Sequence, residues 1–115
     1  MKILVVDDDL HIQKLYKEEL EEEGYQVVIA GTGSKAMELF QQEDPDLVTL
    51  DILMPDVDGI KLLRQMKEKK PRLPIIMSTA YDYRDDFAVW ASEAYIVKSA
   101  DLNELKSTIK KLLSK

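Results

Sequence analysis

A small set of polar residues has the types and positions that a reactive site would need. Each of them ends or follows a short apolar run, and in chain order they are Asp7, Asp8, Asp9, Asp51, Thr79 and Lys98. Two carboxylates about 4 Å apart repel each other by about 4 kcal/mol at an effective dielectric of about 20. Stability alone gives no reason to gather them, whereas a hard divalent cation such as Mg²⁺ relieves the repulsion because it prefers carboxylate and water oxygens.

The chemistry that such a site could perform is phosphoryl transfer. A carboxylate is a competent nucleophile toward phosphorus and forms an aspartyl phosphate. The reaction asks little else of a protein beyond positioning and charge stabilisation, which a bound cation provides. Lys98 would supply further positive charge, and Thr79 would donate a hydrogen bond to a phosphoryl oxygen.

Five apolar runs of strand length must position these groups. They are rich in Val and Ile and mostly lack polar alternation, which is typical of strands buried on both faces of a parallel sheet. We predict strands over Lys2–Val6, Gln26–Ala30, Asp46–Ile52, Pro74–Ser78 and Ala94–Val97.

Amphipathic segments of helix length separate the runs. We predict helices around the apolar stripes Ile12–Leu20, Ala36–Phe40 and Ile60–Met66, over Arg84–Ala91, and from Asp101 to the end of the chain. Gly24 should end the first helix, Ser34 should cap the second, and Asp101 with Glu104 should begin the last. Gly59 should relieve backbone strain in the turn before the third.

The alternation of strand and helix predicts one α/β domain over residues 1–115. Right-handed crossovers give a parallel sheet with helices on both faces. Ligands of such sheets bind beyond the carboxyl ends of the strands, which is where the polar set falls.

Composition excludes several other classes of function. The 22 acidic and 16 basic residues give a net charge of −6, which argues against nucleic-acid binding. The absence of cysteine excludes disulfides and zinc–thiolate sites, and a single histidine excludes a multi-histidine metal site. No apolar run approaches the roughly 20 residues that span a bilayer, so we expect a cytoplasmic protein without membrane contact.

Four motifs together resemble the response-regulator receiver domain of two-component signalling, a CheY-like family. They are Ile3-Leu4-Val5-Val6-Asp7-Asp8, Asp51-Ile52-Leu53-Met54-Pro55-Asp56-Val57-Asp58-Gly59, Ser78-Thr79-Ala80-Tyr81 and Tyr95-Ile96-Val97-Lys98. The resemblance implies a flavodoxin-like, five-stranded parallel sheet in the order 2-1-3-4-5 with helices on both faces. It also implies a single receiver domain with no output domain.

The resemblance implies a role for each residue of the site. Asp51 would be the phosphoacceptor. Asp8, Asp51 and the backbone carbonyl of Leu53 would bind Mg²⁺ directly, with Asp7 acting through water and Mn²⁺ able to substitute. Thr79 would be the switch hydroxyl, Lys98 would contact the phosphoryl group, and Tyr95 would be the switch aromatic. Leu53 and Tyr81 would flank the site and tune the phosphoryl lifetime.

The sequence departs from the family pattern at two places. Ser99 follows the lysine where the family usually has proline with a cis peptide bond. The family pattern therefore does not fix the geometry with which Lys98 approaches the phosphoryl group. Trp90 stands where the family commonly has glycine, and it either covers the edge of the core or anchors a partner.

The implied partner is a sensor histidine kinase that donates the phosphoryl group. The chain would then pass the group to a histidine phosphotransfer protein or dock on another protein target. Ile12 and Leu15 either belong to the core or contact the histidine-bearing partner.

An alternative function is that of a haloacid-dehalogenase-like phosphatase, in which Asp7 would be the nucleophile and Asp9 the acid. The discriminating observation is whether Asp7 or Asp51 becomes phosphorylated.

Overall fold

The computed structural model describes residues 1–52, 54, 56–79, 94–97 and 102–114. Several predicted features lie outside the described residues, and these are Leu53, Tyr81, the helix over 84–91 with Trp90, Lys98, Ser99 and Asp101. The predictions for those positions stay predictions.

The described strands form one parallel sheet in the order β2-β1-β3-β4-β5. The strands are β1 (Lys2–Val6), β2 (Gln26–Ala30), β3 (Leu47–Leu50), β4 (Ile75–Thr79) and β5 (Ala94–Val97). The predicted fold class and strand order are confirmed. The order reverses between β1 and β3, so the switch point of the sheet lies between the strands that lead to Asp7 and Asp51.

Four helices are described, and they pack on both faces of the sheet. They are α1 (Leu10–Glu22), α2 (Gly33–Glu43), α3 (Gly59–Lys69) and α4 (Asn103–Leu113). None of these four helices has the length and apolar character that crossing a membrane would require.

Two apolar clusters, one on each face, hold the sheet between the helices. Alternate residues of β1 divide between them: Leu4 packs with α2 and α3, whereas Ile3 and Val5 pack with α1 and α4. Both faces of the sheet are covered by helices, so successive residues of a strand are buried on opposite faces. This explains why the predicted runs lack polar alternation.

The end of α1 follows the prediction closely. Gly24 has φ of +93°, its N–H donates to the carbonyl of Glu21 at 3.0 Å, and the N–H of Tyr25 donates to the carbonyl of Leu20 at 3.3 Å. These two hydrogen bonds form a Schellman motif, for which glycine is favoured because it has no Cβ to strain the left-handed conformation.

The start of α2 differs from the prediction. Thr32, not Ser34, is the N-cap, since its side chain accepts a hydrogen bond from the N–H of Lys35 at 3.1 Å. The helix begins earlier because the N–H of Gly33 already has an acceptor in the carboxylate of Asp56. Sequence alone offers two equally good capping residues here and cannot show the distant acceptor.

Strand ends also shift by one or two residues. Pro74 lies directly before β4 rather than within it, and its carbonyl accepts a hydrogen bond from the N–H of Val48 at 3.1 Å. The strand β3 is shorter than predicted, yet the N–H of Asp46 still donates to the carbonyl of Lys2 at 2.8 Å. The last described helix begins at Asn103, with Leu102 as its N-cap.

Gly59 is required for a reason other than the predicted one. Its backbone is not in the left-handed region, which among the described glycines only Gly24 occupies. A Cβ at position 59 would lie 2.3 Å from the carbonyl oxygen of Asp51 and 2.6 Å from the Cα of Ile52. The glycine therefore lets the start of α3 pack directly on the backbone after β3, where its N–H donates to the carbonyl of Ile52 at 3.0 Å.

We predict that Gly59→Ala lowers the free energy of unfolding by about 1–3 kcal/mol, because rigid backbone must move to admit the methyl group. Urea unfolding monitored by circular dichroism measures the change. Lys61→Ala, an exposed substitution in the same helix, is the control and should change stability by less than about 0.5 kcal/mol. Equal stability of the two variants would contradict the steric explanation.

Candidate functional site

Three carboxylates meet at the carboxyl edge of the sheet. Asp7, Asp8 and Asp51 each offer an oxygen atom, and these atoms lie within 4.8 Å of one another. Asp7 and Asp8 directly follow β1, and Asp51 directly follows β3. Because these two strands are neighbours in a parallel sheet, residues separated by more than forty positions in sequence become adjacent.

Backbone hydrogen bonds fix the two aspartate-bearing chain segments. The N–H of Asp51 donates to the carbonyl of Val6 at 3.0 Å, and the N–H of Asp7 donates to the carbonyl of Ala30 at 3.0 Å. Both bonds continue the pattern of the sheet one residue past the strands. The carboxylates therefore start from a rigid backbone rather than from free loops.

The three carboxylates differ in their exposure to solvent. Asp7 and Asp51 are only 2% and 6% exposed, whereas Asp8 is exposed. One Oδ of Asp7 accepts a hydrogen bond from the N–H of Asp9 at 2.9 Å, and the side-chain amide of Gln13 donates to the carbonyl of Asp7 at 2.7 Å. Asp7 forms the protein side of the site and Asp8 forms its solvent side.

Asp9 is excluded from this cluster. It is the N-cap of α1, and its carboxylate accepts hydrogen bonds from the N–H groups of His11 and Ile12 at 2.8 and 3.3 Å. The helix N-terminus stabilises the negative charge there. The preference of aspartate for N-caps was the sequence signal that separates this residue from its two neighbours.

The donor set of the cluster suits a hard divalent cation. Carboxylate charges 4.8 Å apart repel by about 3–4 kcal/mol at an effective dielectric of about 20. Mg²⁺ takes oxygen ligands, commonly one or two carboxylates with several waters. Two buried carboxylates with one exposed carboxylate leave a solvent-facing side on which waters or a phosphoryl oxygen can complete the coordination.

Two further predicted site residues lie on the neighbouring strands. Thr79 is the last residue of β4 and pairs with Val97 at the end of β5. The backbone of Thr79 is therefore at the same edge of the sheet as Asp51, as the strand-end rule requires. Tyr95 lies within β5 and pairs with Met77. Lys98 follows β5 directly in sequence and lies outside the described residues.

The first turn of α1 presents an apolar side chain that the sequence analysis did not single out. Leu10 is 78% exposed beside the acidic cluster, whereas Ile12 and Leu15 are half-buried and pack against the core on the α1 face. Helical periodicity places Ile12 and Leu15 correctly. Position 10 does not belong to that apolar stripe, so a leucine there is the sequence signal that could have indicated an exposed apolar side chain.

A second contact that sequence reasoning missed holds the segment after β3. Both Oδ atoms of Asp56 accept from the N–H of Gly33, at 3.1 and 2.9 Å. A Cβ on Gly33 would lie 2.3 Å from a methyl carbon of Val57, so glycine is needed for this close packing. The contact joins the segment between Asp51 and α3 to the first turn of α2.

Comparison with known proteins gives a consistent result. The family model for the response regulator receiver domain matches residues 3–110. The chain is 36% identical over 115 residues to the alkaline phosphatase synthesis transcriptional regulatory protein PhoP of Bacillus subtilis, covering 97% of this chain and 48% of that protein. It is also 36% identical over 115 residues to sporulation initiation phosphotransferase F of the same organism, covering 97% and 93%. The chain thus spans about half the length of one relative and nearly all of the other.

Solved structures show the same fold. The response regulator TrrA of Thermotoga maritima, in complex with Mg²⁺ and beryllium fluoride, has a TM-score of 0.93 and 46% identity over 96% of this chain and 97% of that one. TrrA in complex with the histidine kinase ThkA gives a TM-score of 0.92, with 46% identity and 97% coverage of each chain. With the matched family model, the strand order and the carboxylate cluster, these likenesses show that the chain belongs to the response regulator receiver family of two-component signalling.

Proposed function

We propose that Asp51 accepts a phosphoryl group from a histidine kinase, with Mg²⁺ held by Asp7, Asp8 and Asp51. The observation that carries the proposal is the convergence of these three carboxylates at the switch point of the sheet. Asp51 is 6% exposed, so most of its surface is enclosed and a small part of it reaches solvent. A carboxylate in that position is shielded from bulk water and still accessible to a donor.

The proposed step is a displacement at phosphorus. A carboxylate oxygen of Asp51 forms a bond to the phosphorus atom, and the P–N bond of the donor phosphohistidine breaks. The electron pair of that bond returns to the imidazole nitrogen, which is a neutral leaving group once the ring is protonated on its other nitrogen. The product is an aspartyl phosphate, and its later hydrolysis by water regenerates the carboxylate.

The carboxylates have separate tasks in this scheme. When bound, Mg²⁺ neutralises charge on the transferring group and orients it, and Mn²⁺ has the same preference for oxygen ligands. Asp7, whose carboxylate accepts a hydrogen bond from the N–H of Asp9, anchors the cluster from its buried side. Asp8 lies on the exposed side and completes the cation site. The carbonyl of Leu53 is proposed as a further ligand on the family pattern.

Residues of the outer strands are proposed to read the phosphoryl group. Thr79 would donate its hydroxyl to a phosphoryl oxygen, Lys98 would neutralise a second oxygen, and Tyr95 would respond to the movement of Thr79. The placement of Thr79 at the end of β4 supports its part of this scheme, since β4 is the neighbour of β3 and hence of Asp51.

A donor kinase must approach the solvent side of the cluster, and we propose that it contacts the first turn of α1. Leu10 follows Asp8 by two positions, is 78% exposed and offers apolar surface that a partner would bury. Ile12 and Leu15 are half-buried, so any contribution they make to docking would come from their exposed edges. The complex of TrrA with ThkA supports a histidine kinase as the partner class. A histidine phosphotransfer protein or another protein target would receive the signal.

Asp51→Asn should abolish phosphorylation, because an amide oxygen is a far weaker nucleophile than a carboxylate. Incubation with acetyl phosphate and Mg²⁺, followed by intact-mass measurement, should show one added phosphoryl group in the wild type and none in the variant. Asp44→Asn is the matched control, since it makes the same chemical change at an exposed residue at the end of α2. Persistent modification of Asp51→Asn, or mapping of the group to Asp7, would refute the assignment and favour the phosphatase alternative.

Asp8→Asn should weaken Mg²⁺ binding by about tenfold or more, since one of three carboxylates is lost. Titration with Mg²⁺, followed by tryptophan fluorescence and melting temperature, measures the affinity. Without metal the variant should be at least as stable as the wild type, because the substitution relieves repulsion at the cluster. A variant that binds Mg²⁺ as the wild type does would remove Asp8 from the cation site.

Leu10→Ala should slow phosphotransfer from a cognate histidine kinase by roughly fivefold in kcat/KM, which corresponds to about 1 kcal/mol of lost contact. Acetyl phosphate provides the internal control, because a small donor needs no docking surface and its rate should not change. Parallel loss with both donors would mean that Leu10 acts on the site itself rather than on kinase docking.

A further inference from the structure

A hydrogen bond between two side chains connects α1 with β4 in the interior. The hydroxyl oxygens of Tyr16 and Ser78 are 2.8 Å apart, and both residues are 2% exposed. The two residues are separated by 62 positions in sequence, so the contact exists only in the folded protein. The family motif and the proposed chemistry leave this pair without a role.

The pair spans a large part of the sheet. Helix α1 has its extensive contacts with β1 and β2, whereas Ser78 belongs to β4, on the far side of β3 from β1. Tyr16 therefore reaches across the face of the sheet, within the apolar cluster that contains Val5, Leu20 and Ile76. In this apolar setting the hydrogen bond is directional and stronger than it would be in water.

The position of Ser78 in β4 gives the contact its significance. Ser78 immediately precedes Thr79, the proposed switch residue, and the two pair with Ile96 and Val97 of β5. Val97 is in turn followed by Lys98 in the sequence. A constraint on Ser78 therefore limits the movement of the strand end that carries the proposed phosphoryl-reading residues.

We propose that Tyr16 and Ser78 are positioning residues that hold the carboxyl end of β4 in register for Thr79 to meet the phosphoryl group. Helix α1 is a suitable support, because its first turn is fixed by the Asp9 cap directly after the acidic cluster. The hydrogen bond thus relates the end of β4 to the same helix that follows Asp7 and Asp8. The inference deepens the proposed function and rests on it.

A purely structural pair and a positioning pair make different predictions. Replacing buried hydrogen-bonded partners by apolar groups of similar shape is often nearly neutral in stability. A strand end that is less constrained, however, must be ordered when the phosphoryl group binds, and this ordering lowers the apparent affinity. Affinity for a phosphoryl analogue therefore separates the two roles.

The experiment measures beryllium fluoride binding in saturating Mg²⁺ by isothermal titration calorimetry, alongside urea unfolding without ligand. The variants are Tyr16→Phe, Ser78→Ala and the double variant. Tyr25→Phe is the control, since it removes a phenol hydroxyl from a partly buried residue that packs against the same apolar cluster just before β2. The acetyl phosphate reaction gives the rate and lifetime of phosphorylation for each protein.

We expect each single variant to bind beryllium fluoride about threefold or more weakly, the double variant to be no weaker than the singles, and the control to match the wild type. Unchanged affinity in both single variants, even with reduced stability, would overturn the positioning role. Additive losses in the double variant would also overturn it, because the residues would then act separately. Failure of the wild type to bind the analogue would instead count against the proposed function itself.

Discussion

Electrostatic repulsion among three carboxylates is the constraint on which the site depends. Asp7, Asp8 and Asp51 are brought within 4.8 Å by the pairing of β1 with β3, and two of the three are almost fully buried. Folding alone gains nothing from this arrangement, so the apolar clusters on the two faces of the sheet must outweigh its cost. The site is consequently a place where the fold holds unfavourable charge ready for a cation.

Rigid backbone makes this arrangement possible. The hydrogen bonds of Asp7 to Ala30 and of Asp51 to Val6 continue the sheet, and Gly59 lets α3 pack on the backbone carbonyl of Asp51. The segment that follows Asp51 is attached at a second point, where Asp56 accepts the N–H of Gly33. The backbone of the acidic residues therefore has little freedom to move apart, and a bound cation would relieve their repulsion.

Much of this arrangement could be predicted from the sequence, because it follows from local periodicity. The runs that form β1, β2 and β5 coincide with the observed strands, and the strand-end rule brought Asp7, Asp8 and Asp51 together. Contacts between distant segments could not be predicted. The acceptor for the N–H of Gly33 and the crowding at Gly59 both depend on residues that only the folded chain makes adjacent. Sequence reasoning therefore offered a different reason for Gly59 and made no prediction for Gly33.

The cap of α1 has a consequence for the charge balance of the loaded site. Three carboxylates and one Mg²⁺ would sum to a single negative charge. The carboxylate of Asp9 accepts hydrogen bonds from the N–H groups of His11 and Ile12, so the N-terminus of α1 offsets the charge of this fourth aspartate. An incoming phosphoryl dianion would therefore meet about one net negative charge at the loaded site, because the charge of a fourth aspartate is offset by the helix that it caps.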